Sequence, residues 1–226
     1  MTILNETEFN IDDVLSAAID GYEAPQGSDE WFEERLGNAT CSRFVAICAR
    51  TKAGLPTAEY QKYMYHLLVE RLTGKRRRFS SRPMEWGTQQ EEAAVARYEE
   101  VTGNITSEVG FIKHPKLATG GSPDRLIGDY GQLEVKCPNT DTHLKYLAAN
   151  KLPNEYFYQV HGQLWITGRK WSDFISHDPE LPAGLDLFRV RVNRDEQIIK
   201  RIESDVRTFL RELDKLESKL RRKISE

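Results

Sequence analysis

Apolar positions return at every third or fourth residue in some stretches of this chain and at every second residue in others, and the contrast divides it into helices and strands. Ser28 precedes a short predicted helix, Asp29 to Leu36, with acids in its first turn, Arg35 in its last and Gly37 to stop it. Thr40 can cap a second helix running from Cys41 towards Ala49. From Thr57, the positions Tyr60, Met64, Leu67, Leu68 and Leu72 recur at helical spacing and end at Gly74. Another helix spans Met84 to Val101, and Gly103 closes it. Glu91 and Glu92 interrupt its apolar run, and a turn of about 100 degrees per residue sends one of them towards whatever the helix packs on.

Short extended segments follow at Glu108 to Lys113, Leu117 to Thr119, Pro123 to Ile127 and Gln132 to Cys137, separated by glycine and proline turns. A helix from Glu155 to Thr167 sets a polar stripe, Tyr156, Gln159 and Gln163, opposite Phe157, Val160 and Leu164. Two more strands, Trp171 to Ser176 and Leu185 to Val192, lead into a long helix from Arg194. Its stripe of Ile199, Ile202, Val206, Phe209, Leu213, Leu216 and Leu220 packs on the chain's own sheet or, as the alternative, on a neighbouring subunit. Residues 1–27 lack strong periodicity beyond a possible short helix at Ile11 to Ala18. The pattern therefore predicts an N-terminal arm over 1–27 and one α/β domain over 28–226, a central mixed sheet flanked by helices, with 194–226 as its terminal helix.

Composition agrees with one sizeable domain: 226 residues, 39% of them hydrophobic. No apolar run reaches the ~18 residues of a membrane span, and Met1 to Asn10 has neither a basic start nor an apolar stretch, which points to the cytoplasm. Cys41, Cys48 and Cys137 are scattered, as reduced thiols or small buried residues are, and lack the spacing of a zinc or iron-sulfur site. A net charge of -3 does not suggest a nucleic-acid binder, yet Arg71 to Arg82 holds six basic residues and no acid. Such a loop can grip phosphates or simply connect two helices.

The candidate chemistry lies at Ser122-Pro123-Asp124 and Leu133-Glu134-Val135-Lys136-Cys137-Pro138. On a strand Glu134 and Lys136 share a face while Val135 turns to the core. If the Asp124 segment pairs with that strand through the turn at Gly128 to Gly131, two carboxylates and the Val135 carbonyl converge on one point. Hard oxygen donors of this kind suit Mg2+, and a neighbouring lysine can orient or deprotonate a water. A second acid-x-lysine copy, Glu217-Ser218-Lys219, falls on a helix, where its charges lie about 200 degrees apart and read as a solvated face. Glu91 can serve the metal site or lie on the surface. Thr40, Ser42 and Arg35 can form an anion site, or Thr40 can be a plain helix cap.

Taken together, Trp31 with Arg35-Leu36-Gly37 and Thr40 to Ser42, Trp86-Gly87 with Gln89 and Glu91, the Ser-Pro-Asp and Glu-Val-Lys segments, Tyr158-Gln159-Val160 with Trp165, and Asp178-Pro179 resemble the lambda-exonuclease type of phage recombination nuclease. That group lies within the restriction-endonuclease-like superfamily, and the resemblance runs from about Trp31 to Val192. It implies that Asp124, Glu134 and the Val135 carbonyl hold a catalytic Mg2+, that Glu91 helps with a second ion, and that Lys136 and Gln159 position the attacking water. Mn2+ can stand in for Mg2+. It also implies a 5'-phosphate pocket of Arg35, Ser42 and Ser122, and Met84 matches an apolar position that can wedge between the terminal base pairs or sit in the core; Arg76, Arg77 and Arg78, a basic run richer than the family pattern, are candidates for DNA contact on their charge.

The implied activity is 5'-to-3' digestion of one strand of linear duplex DNA to mononucleotides, by a homotrimeric ring working with a single-strand annealing protein in a bacterial host. A restriction-type endonuclease is the alternative of the same chemistry, and a non-catalytic DNA-end-binding protein the alternative without it. Arg125 stands where family members commonly have glycine, a departure that bears on local DNA contacts.

Overall fold

The computed structural model describes residues 24–76 and 82–224, the stretch 82–89 by its backbone alone. The helix expected at Ile11 to Ala18 and nearly all of the N-terminal arm lie outside the described residues. In chain order the elements are α1 (Asp29–Arg35), β1 (Ala39–Thr40), a 3-10 turn (Cys41–Arg43), α2 (Phe44–Cys48), α3 (Ala58–Thr73), α4 (Arg82–Thr102), β2 (Thr106–Ser107), β3 (Ile112–Lys113) and β4 (Thr119–Gly121). They continue with β5 (Arg125–Ile127), β6 (Gly131–Lys136), α5 (Thr140–Ala149), a 3-10 turn (Asn154–Tyr156), α6 (Phe157–Thr167), β7 (Trp171–His177), β8 (Leu187–Asn193) and α7 (Glu196–Arg222).

The main sheet is five-stranded, in the order β2-β5-β6-β7-β8, and mixed, because β6 runs parallel to β7 while the other neighbours are antiparallel. A parallel pair needs a crossover, and α5 with α6 provides it. On one face α4 packs Ala94, Val95 and Tyr98 against Ile127, Leu133, Val135 and Ile175. On the other, Tyr146 of α5 and Val160 and Leu164 of α6 meet Phe174 and Phe188. A separate three-stranded sheet, β1-β4-β3, carries the glycine pair Gly120-Gly121 at its centre. A Cβ at Gly120 would come within 2.4 Å of the Phe111 ring, and one at Gly121 within 2.7 Å of Cys41 Sγ, so only glycine lets these segments approach.

Helix α6 is sandwiched. Its second flank, Trp165 and Ile166, joins α2, α3 and α7 in the largest apolar cluster, and every residue from Val160 to Thr167 is buried. A helix enclosed on all sides must find internal partners for its polar residues.

Several expectations need correction. The terminal helix packs on α2, α3 and α6 rather than on the sheet, with Phe209 set edge-on to Tyr60 at 5.1 Å and stacked on Tyr63 at 5.6 Å. The helix expected from Cys41 starts as a 3-10 turn, and the Thr40 hydroxyl caps no backbone N–H. Instead it faces the Ser42 hydroxyl at 3.3 Å. Helix α5 was not foreseen: Asn139 caps it through Thr142 N, yet it buries only His143 and Tyr146 and shows no apolar stripe. Glu217 is no solvated residue either, since Arg71 and Arg221 both bind it. All three cysteines are free, Cys41 and Cys48 buried and Cys137 half-buried.

Candidate active site

The site begins in the hairpin of β5 and β6, which pairs Arg125 with Leu133 and turns at left-handed Gly128. One residue outside the pairing, before Arg125, Asp124 N donates to Leu133 O at 3.0 Å. Beyond that point β5 no longer flanks β6, and the side chain of Asp124 replaces it: Oδ2 accepts from Val135 N at 2.6 Å. Within a strand a residue's N–H and C=O point to the same side, so the Val135 carbonyl opens beside Asp124. The Val135 side chain is buried among the α4 cluster, which contributes about 1.5–3 kcal/mol and fixes the strand's facing. Glu134, wholly buried, therefore projects from the opposite face with Lys136.

Helix α6 meets that face in a regular register. Gln159 donates to Glu134 Oε1 and Gln163 to Glu134 Oε2 (2.6 Å), while Thr167 donates to Gln132 Oε1 (2.9 Å). Four helical residues rise about 6 Å and two strand residues about 6.7 Å, so Gln163 and Thr167 keep step with Glu134 and Gln132, while Gln159, one turn earlier, shares Glu134 with Gln163. Lys136 Nζ pairs with Glu134 Oε1 and lies 5.3 Å from the centre of the Tyr156 ring. Burial alone would lower the Lys136 ammonium, but the Glu134 and Asp124 carboxylates outweigh it and hold the ammonium above its ordinary value. Lys136 is thus a cation here, a donor rather than a base.

Burial, then the charge of Glu134, pushes the Asp124 carboxyl well above the usual range, and Glu91 adds to the push. Glu91 on α4 is raised as well, by burial first, with Arg125 and Lys136 opposing. Glu91, Asp124, Glu134 and Lys136 therefore feel one another's charge. Arg125 turns inward: its guanidinium pairs with Glu92 and lies 3.8 Å from Glu91 and 3.9 Å from Glu108. Arg125, expected to bear on local DNA contacts, thus faces the carboxylates of α4 and Glu108.

Arg35, carried on α1, lies over the Trp31 ring at 3.9 Å and donates to Ser122 Oγ at 3.3 Å, to which Trp31 Nε1 also donates at 3.0 Å. Burial lowers the Arg35 guanidinium to about 10, and among the described residues no carboxylate lies within ion-pairing distance of it. Ser42 is exposed and bonds Thr40 rather than Arg35. Its segment still approaches Ser122, because β1 runs parallel to β4 with Thr40 opposite Gly120, and Cys41 packs against Gly121.

Of the basic run, Arg71 is consumed by Gly37 O, Asp214 and Glu217. Arg76 stacks over Phe32 at 3.1 Å and lies near enough to Arg35 to depress it. Arg77, Arg78 and the side chain of Met84 lie outside the described residues. Trp31 is a contact with no role of its own in the sequence reading, and Gln163, there one residue of a polar stripe open to a surface reading, is buried and bonded. The available signal for Gln163 was its four-residue spacing from Gln159 on the polar stripe of the helix.

Among the described residues no group of three or more His, Cys, Asp or Glu side chains forms a ready metal cage. The donor set nonetheless fits Mg2+, which keeps most of its waters and takes one or two carboxylates. Asp124 and Glu91 are raised by burial and by the neighbouring carboxylates, and a divalent cation would relieve that excess of negative charge.

The YqaJ-like viral recombinase domain model matches residues 30–170. The chain is similar to an alkaline exonuclease from Laribacter hongkongensis (LHK-Exo), at 42% identity over 88% of this chain and 98% of that one, with a TM-score of 0.81. The same enzyme in complex with dAMP gives 42% identity, the same coverage and a TM-score of 0.82. A phage-related exonuclease from Haemophilus somnus 129PT, at 16% identity over 81% and 96% of the two chains and a TM-score of 0.65, shares the fold. No curated protein matches. Among the described residues no helix is long and apolar enough to cross a membrane. Since the domain model spans more than half of the sequence and the Laribacter relative nearly all of it, the chain belongs to the YqaJ-like viral recombinase family, nucleases of the lambda-exonuclease type.

Proposed function

We propose that this nuclease is a Mg2+-dependent 5'-to-3' exonuclease that degrades one strand of linear duplex DNA to 5'-mononucleotides and leaves a 3' single strand for recombination by annealing. One observation carries the reading. Glu134 is bonded at once to Lys136, Gln159 and Gln163, and Gln163 also reaches the carbonyl of Ser122, whose hydroxyl meets Arg35. The groups read as phosphodiester-cleaving and as an anion pocket are a few hydrogen bonds apart, which supports a reading in which a held 5'-phosphate sets the next linkage over the carboxylates. The Laribacter relative, crystallised with dAMP, binds a mononucleotide of the product class.

In this reading Asp124, Glu134 and the Val135 carbonyl hold one Mg2+, and Glu91 shares a second. When bound, such ions supply charge stabilisation and a more acidic water for in-line attack. Lys136 and Gln159 orient the attacking water, Arg35 and Ser122 bind the terminal phosphate, and Ser42 closes the pocket from the neighbouring segment. The homotrimeric ring and the annealing partner follow from family resemblance and are part of the proposal.

End-labelled linear duplex and covalently closed circular duplex, each incubated with the protein and Mg2+, provide the test. Mononucleotides from the linear substrate alone are expected, and sedimentation of the same preparation should give three subunits per particle. Cutting of the closed circle would turn the assignment to an endonuclease, and no hydrolysis of either would remove the enzymatic reading.

The carboxylate cluster also predicts a pH effect. Arg125 opposes the rise of Glu91, while Glu134 and Glu92 promote it and Lys136 restrains it. In Arg125→Ala the Glu91 carboxyl moves further up and ionises only in more alkaline solution. The acidic limb of the pH–rate profile should shift to higher pH with its plateau kept. An unmoved limb would exclude Arg125 from the electrostatics of the site.

A further inference from the structure

We propose that Gln163 is a positioning residue that couples the terminal-phosphate pocket to the metal-binding carboxylate, so that the two sites tighten each other. The inference rests on the function proposed above and adds to it how the enzyme would favour phosphorylated ends. Gln163 is 1% exposed, and its single amide nitrogen donates to two acceptors, Glu134 Oε2 at 2.6 Å and Ser122 O at 3.2 Å. Both of its N–H groups are thereby committed, one to each site. Its other atom, Oε1, is buried with no partner among the described residues.

That arrangement fixes the amide's orientation. A flip would turn Oε1 towards a carboxylate and a carbonyl and lose both bonds, so the unpartnered oxygen is the cost of keeping the fork aimed. Packing holds the fork in place. Gly121, which precedes Ser122, has room for no side chain: a Cβ there would lie 2.7 Å from Cys41 Sγ and 3.5 Å from Gln163 Cγ. Gly162 admits the Phe44 ring just as closely, at 2.5 Å from an added Cβ, with Cys41 Sγ at 3.4 Å, and so holds α6 against α2 and the cysteine that also packs on Gly121. Gln159 provides the contrast, because among the described residues it donates to Glu134 and to no second acceptor.

Ser122 offers its hydroxyl to Arg35 and its carbonyl to Gln163, so a phosphate gripped by Arg35 and the Ser122 hydroxyl fixes the same residue that steadies Glu134. Coupling of this kind is reciprocal: a 5'-phosphate should raise the affinity for Mg2+ by the factor by which Mg2+ raises the affinity for the phosphate.

The test compares the full-length parent, Gln163→Met, Gln163→Leu and Gln159→Met. Mg2+ affinity is measured by calorimetry without DNA, and digestion rates are measured on linear duplex with 5'-phosphate and 5'-hydroxyl ends. Loss of an outer hydrogen-bond partner lowers metal affinity about 10–100-fold, and both Gln163 variants and Gln159→Met should show this. Only the Gln163 variants should also bring the phosphate-to-hydroxyl rate ratio towards one. Should neither Gln163 variant fold, the parent decides alone: its Mg2+ affinity should be higher beside an uncleavable duplex, with methylphosphonate terminal linkages, when the end is phosphorylated than when it is hydroxylated. Equal affinities there, or a phosphate preference that Gln163→Met retains, overturn the coupling and leave the exonuclease reading intact. A parent that digests neither end overturns the exonuclease reading and the coupling together.

Discussion

Lys136→Ala should lose about 10^2- to 10^4-fold in digestion of linear duplex DNA while still binding its ends, the range that positioned proton donors and acceptors contribute. The lysine meets Glu134 on the shared face of β6 and lies beside the ring of Tyr156, and among the described residues no other ammonium pairs with Glu134. Alanine removes the charge and leaves a gap on that face. Glu134 keeps its two glutamine donors, so the strand and the carboxylate should stay in place, and binding by Arg35 and Ser122 should persist. Single-turnover digestion paired with an end-binding assay separates the two effects. Normal turnover by the variant would take the lysine out of the mechanism.

A duplex with a 5'-phosphate should be digested faster than the same duplex with a 5'-hydroxyl, and Arg35→Ala should narrow the gap by about 10- to 100-fold. A hydrogen bond to a charged group is worth about 1.5–3 kcal/mol, and each 1.4 kcal/mol is a factor of ten. Arg35 is suited to this because burial has removed much of its water, while the Trp31 face and Ser122 hold it without neutralising it. Burial lowers the guanidinium only part of the way, so it stays charged and the preference should hold through neutral and mildly alkaline solution. Competition between the two ends in one reaction measures the ratio directly. Equal rates in the parent protein would refute the pocket.

Much of this arrangement was legible in the chain because single residues impose it. Alternation from Leu133 to Lys136 sets Glu134 and Lys136 on one face, and the glycines at 128 and 131 make the turn that returns β6 beside Asp124. The stripe from Ile199 to Leu213 announced a long helix. Its packing partners stayed hidden, because an apolar stripe states that something covers it and not what. Helix α5 escaped notice since a cap without an apolar period is weak evidence. The inward turn of Arg125 depends on where α4 places Glu91 and Glu92, a matter of tertiary distance that spacing along the chain cannot encode. Gln163 was visible as one residue of a polar stripe, yet its two acceptors lie 29 and 41 residues away.

The matched stride of α6 and β6 has an evolutionary consequence. One residue gained or lost between Gln159 and Thr167 would swing the later donors about 100 degrees away, and a one-residue slip of the strand would send Glu134 into the apolar layer under α4. Neither segment can change length by itself without breaking several cross-links at once. Substitution can still trade one donor and its acceptor together, so drift in this family should alter the chemistry of individual rungs and preserve the count of residues between them.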